Sequence, residues 1–142
     1  MTADEFQDFL LPPMTLRRFN ELTGRLRACE SSAVFECLFA VAVNPRRYGF
    51  DQWASRLLVL LDPPCPITLE EVLVAIEDGE LDLSNKLIPF YLAGQFGKAN
   101  VVRAASGSRI VAVSGIAYWL GFSLFELVES DACSLHDWRM GR

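Results

Sequence analysis

The sequence predicts an all-α fold, a single compact bundle of about six to eight helices with 1–142 as one helical domain. Three observations carry that expectation. Apolar residues recur every three or four positions in segment after segment. Threonine, serine or aspartate stands at the head of several of these segments, where a side-chain oxygen can accept an orphan backbone N–H. Prolines and glycines punctuate the ends, and Ile110-Val111-Ala112-Val113 also reads as one short strand.

Residues 1–14 open with a short amphipathic segment that places Phe6, Phe9 and Leu10 on one side and stops at Pro12-Pro13. Thr15 caps the next helix, whose Leu16, Phe19, Leu22 and Leu26 form the apolar stripe opposite Arg17, Arg18, Arg25 and Arg27. Ser31 and Ser32 start a run, AVFECLFAVAV, that is apolar nearly all round and therefore central. Its periodicity does not separate helix from buried strand, and Asn44-Pro45 ends it. Asp51 is the expected N-cap of QWASRLLVLL, which Asp62-Pro63-Pro64 terminates.

The clearest helix start lies in the middle of the chain. Pro66 holds Cys65 extended, and Thr68 with Glu71 three residues on makes a capping box. Leu69, Val72, Leu73 and Ile76 then face inwards, leaving Glu70, Glu71, Glu77 and Asp78 outwards, with Gly79 expected as a left-handed C′ residue. A second helix follows, with Pro89 in its first turn and Gly97 at its end. KANVVRAAS reads as a short helix closed by Gly107. The last major helix covers about Val113 to Glu129, with Ile116, Leu120, Leu124, Leu127 and Val128 in register, ahead of a loosely docked tail.

Composition bounds the function. The 142 residues carry 18 acids against 13 Lys and Arg, a net charge of −5, and 51% are apolar. That amount of apolar residue builds a core and excludes wholesale disorder, and the acidic balance argues against nonspecific binding of nucleic acid. The four cysteines show no C-x-x-C spacing, and a single histidine leaves no familiar zinc site. No charged-then-apolar leader opens the chain, so a reduced, cytoplasmic protein is expected. The uncharged run from Ile110 to Phe125, 16 residues, is shorter than the roughly 20 that cross a bilayer, so no membrane association is expected.

No catalytic motif is present. His136, the sole histidine, lies near the C-terminus with Asp137 beside it, and sequence neighbours do not make a triad. The run Asp78-Gly79-Glu80-Leu81-Asp82 lacks the alternating ligands and closing glutamate of a calcium loop. No catalytic residue, metal or cofactor is therefore expected. An enzyme with a carboxylate site would require at least two acids gathered in a deep pocket.

One segment, Val113-Ser114-Gly115-Ile116-Ala117-Tyr118-Trp119-Leu120-Gly121-Phe122-Ser123, resembles the IA-x-x-LGF-S stretch in the helix-turn-helix of AraC-type activators, over 11 positions. The resemblance implies DNA binding through a reading helix at Leu124–Asp131. That segment contains none of the Arg, Lys, Asn or Gln side chains that pair with base edges, and its acids repel phosphate. Helix-turn-helix DNA binding is thus the lesser alternative.

The charge map carries the leading expectation. Leu57 to Asn85 holds seven acids and no Lys or Arg, while seven of the 13 bases precede it. A dense acid patch steers a basic partner and can occupy a site built for phosphates. The expected function is a small acidic binding protein, an immunity-type bacterial inhibitor that blocks a basic, nuclease-like toxin. Its expected partner-binding residues are Glu70, Glu71, Glu77, Asp78, Glu80 and Asp82. The alternative is a helical adaptor or chaperone that grips a partner peptide through aromatic anchors such as Trp53, Phe90, Tyr91 or Trp119.

Overall fold

A computed structural model describes residues 1–82 and 84–121. Those residues form eight α-helices and no strand: α1 (Ala3–Phe9), α2 (Leu16–Arg27), α3 (Ser31–Val43), α4 (Phe50–Leu61), α5 (Leu69–Asp78), α6 (Leu87–Phe96), α7 (Lys98–Ala105) and α8 (Val111–Leu120). The all-α expectation holds. Ile110 is extended, at φ −80° and ψ 120°, but only as the residue leading into α8, so 110–113 supplies no strand. Leu124, Leu127, Val128, Cys133, His136 and the whole expected reading helix lie outside the described residues.

The apolar run at 31–43 is helical and central. Val34, Phe35, Cys37, Leu38, Phe39, Val41, Ala42 and Val43 are all buried on α3. Phe35 stacks on Phe39 at 5.1 Å between ring centroids and reaches Tyr91 of α6 at 6.2 Å. The main partner of α3 is α4, with α1 and α2 on its other sides. Helix α6 joins α4 to the second half of the molecule, where α7 and α8 pack on α6 and α5 packs on both of them. Buried apolar residues of all eight helices meet in one core. Truncating a fully buried leucine there, such as Leu38 or Leu58, costs about 2–5 kcal/mol.

The chain reversal after α4 positions the middle of the molecule. Asp62 closes α4 in the left-handed region at φ 46°, which aspartate tolerates better than most residues, and proline follows it at once. Helix α6 holds this loop at three points. The Gln95 amide donates to Asp62 Oδ1 and accepts from the Cys65 N–H, both at 2.9 Å, and the Tyr91 hydroxyl donates to the Pro63 carbonyl at 2.6 Å. Burial keeps the Tyr91 phenol protonated well above its ordinary pKa of 10.0.

Two expected caps are corrected. Asp51 does not begin α4. Gly49 takes that place at φ 93°, and Asp51 lies in the first turn, buried at 6% exposure. Gly79 is not left-handed but extended, at φ −100° and ψ −164°. It is glycine for want of space: a Cβ there would stand 2.9 Å from the Val43 carbonyl oxygen and 3.0 Å from that of Ala75. The bare backbone lets the Glu80 N–H donate to the Val43 oxygen, tying the exit of α5 to the end of α3.

Candidate functional site

The expected binding residues sit on α5 and the turn after it. Thr68 is extended, and its hydroxyl accepts from the Glu71 N–H at 3.2 Å, so the helix starts where the capping box places it. Leu69, Val72, Leu73 and Ile76 are buried, while Glu70, Glu71, Glu77 and Asp78 are exposed. On a helix of 3.6 residues per turn, these four acids and Val74 fall within an arc of about 120°. Val74, 53% exposed, lies inside that arc, so the face is a carboxylate ring around an aliphatic patch.

Beyond Gly79 the chain leaves the helix. Leu81 is buried and anchors the turn, so Glu80 and Asp82 on either side of it remain exposed. Asp82 has a second duty. Its Oδ1 accepts from both the N–H and the hydroxyl of Ser84, each at 2.8 Å, and these bonds hold its carboxyl below the ordinary value of 3.8. Five of the six acids thus present uncommitted carboxylates among the described residues, and Asp82 presents one that also shapes the turn.

Electrostatic context sets α5 apart from the other acidic segment, α1. Glu5 pairs with Arg25 at 3.9 Å and Asp8 with Arg46 at 3.0 Å. Arg18 donates to the Phe9, Pro12 and Pro13 carbonyls and lies 4.3 Å over the Phe9 ring. Arg18, Arg25 and Arg46 are therefore engaged in fastening α1. No described base pairs with Glu70, Glu71, Glu77, Asp78 or Glu80. Glu77 and Asp78 also occupy the last turn of α5, which contains no base, so they face the negative end of the helix dipole. Each such placement costs about 0.3–1 kcal/mol.

Burial raises the Cys37 thiol from 9.0 to about 11, and it raises Cys65 as well, so both stay protonated at neutral pH and are weak nucleophiles. Among the described residues Asp51 is the single buried carboxylate, and no group of three His, Cys, Asp or Glu side chains is placed to hold a metal ion. No described helix is long and apolar enough to cross a membrane. Of the aromatic residues suited to anchor a partner peptide, Tyr91 is buried, and Trp53, Phe90 and Trp119 are half-buried.

One polar cluster escaped sequence reasoning. Asn85 is buried at 3% exposure, and its Oδ1 accepts from the N–H groups of Leu87 and Ile88, both at 3.0 Å. Its amide donates to Ser55 Oγ at 2.8 Å, and Ser55 donates in turn to the Asp51 carbonyl at 2.7 Å. The cluster caps α6 and bolts it to α4. An asparagine two residues ahead of an apolar run was the available signal. Comparison of the chain with protein-family models, curated proteins and solved structures returns no match.

Proposed function

We propose that this protein binds a basic protein through the acidic face of α5 and the turn that follows it. The supporting observation is the placement of Glu77 and Asp78, exposed, without a described counter-charge and at the wrong end of the helix dipole. Such residues work against the stability of their own helix, which makes sense where their charge serves recognition. The ring of carboxylates around Val74 supplies long-range steering towards a cationic surface, with an aliphatic contact at its centre. An inhibitor of the immunity type, which covers the phosphate-binding site of a basic nuclease-like toxin, is the class that these features suit best.

The test uses the wild-type chain and the Glu77→Lys/Asp78→Lys variant as parallel baits at rising salt. A basic protein retained by the wild type, released by salt and absent from the variant supports the proposal. Identical retained proteins on the two baits contradict it.

A further inference from the structure

A groove of about 680 Å³ runs between α1, α3 and α5. Phe35, Phe39, Ala40, Ile67 and Ala75 give it an apolar floor. The floor exists because α3, apolar on nearly every side, leaves Glu36 and Ala40 exposed one helical turn apart, in the gap between α1 and α5. Asp4, Glu36 and Asp78 stand on its three walls, one from each helix. None of these carboxylates is ion-paired among the described residues. The lining holds one base, Arg46, and its charge is already taken by Asp8 Oδ1 and the Asp4 carbonyl, both at 3.0 Å.

We propose that this groove seats a cationic amphipathic segment of the partner protein, an inference that rests on reading α5 as the docking face. Aliphatic side chains of the segment lie on Phe39, Ala40 and Ala75, and its lysines or arginines reach Asp4, Glu36 and Asp78. Long basic side chains suit a site of this shape, because their methylene stems cover apolar floor while their heads stay in water at the rim. Exposed ion pairs contribute little affinity each, so the floor supplies the binding and the three carboxylates select the sign of the charge. An acidic or neutral amphipathic segment would leave those carboxylates facing like charge or no partner.

Fluorescence anisotropy with a labelled amphipathic helix built of leucine and lysine tests the inference, with a leucine–glutamate helix as control. Ala40 and Glu36 are exposed, so Ala40→Arg and Glu36→Lys alter the groove without touching the core, and circular dichroism verifies their folding. The wild type is expected to bind the lysine peptide and not the glutamate peptide. Ala40→Arg should weaken binding at least about tenfold and Glu36→Lys about fivefold. Glu21→Lys, exposed on α2 and outside both the groove and the α5 face, should change it less than about twofold. Absence of binding at low salt, or equal affinity for wild type and Ala40→Arg, would overturn the groove. Should Glu70→Lys/Glu77→Lys alone weaken binding, the acidic face survives and the groove does not.

Discussion

Replacing Asn85 by alanine removes the cap of α6 and takes from the buried Ser55 oxygen the donor it accepts from, so one side chain serves two elements. The loss of a cap and of a buried hydrogen bond together is expected to cost about 2–3 kcal/mol in urea denaturation. A cost below about 0.5 kcal/mol would show that the cluster does not join α6 to α4. Cys37 gives a pH test. Its thiol is raised from 9.0 to about 11, so the folded state holds that proton more tightly than the unfolded chain does. The resulting stabilisation is whole below pH 9 and is lost as pH rises towards about 11. In a Tyr91→Phe/Cys65→Ala background, which removes the other two raised groups, stability should fall across that window, and Cys37→Ala should flatten the fall. At this scale the sequence was readable where side chain and cap are local: Thr15 and Thr68 both accept the N–H three residues on. It was not readable where partners come from afar, as Asn85 with Ser55 and Gln95 with Asp62 do.

Helix α5 shows what a stretch of sequence tells about an element and what it hides. Its start, inward face and outward acids were all legible, because each follows from a local cap and a 3.6-residue period. Its end at Gly79 was legible too, but the conformation of that glycine and the reason for it were not, because part of the crowding there comes from Val43, which lies on another helix. Gly79→Ala must displace backbone oxygens and is expected to cost about 1–3 kcal/mol. Gly24, inside α2 with nothing within 4 Å of an added Cβ, gives the contrast: alanine there should stabilise by about 0.5–1 kcal/mol. Thermal melts of the two variants should shift in opposite directions, and equal shifts would refute the steric account of Gly79. The dipole argument has its own consequence. Glu77→Lys/Asp78→Lys should raise the melting temperature while it weakens partner retention, since it corrects charges that oppose the end of α5. A lower melting temperature would assign those acids a stabilising role and remove the main support for the binding proposal.

Over the whole molecule, charge is distributed by use. Arg18 and Arg25 fasten α1 to α2, Arg46 fastens it to the loop before α4, and the acids of α5 face outwards without described ion-pair partners. The all-helical bundle was legible because every described helix carries an apolar stripe or is apolar throughout. The groove was not, since it arises from three helices distant in sequence and from the exposed stripe of the helix that reads as most buried. The central claim is that the α5 face recruits its partner by charge. Stopped-flow association of the protein with the basic partner it retains, followed from about 20 to 200 mM salt, tests this most directly. The account predicts a wild-type rate constant that falls severalfold over that range, and a Glu77→Lys/Asp78→Lys rate constant that is lower and nearly flat. Equal rate constants with equal salt slopes for the two proteins would contradict it.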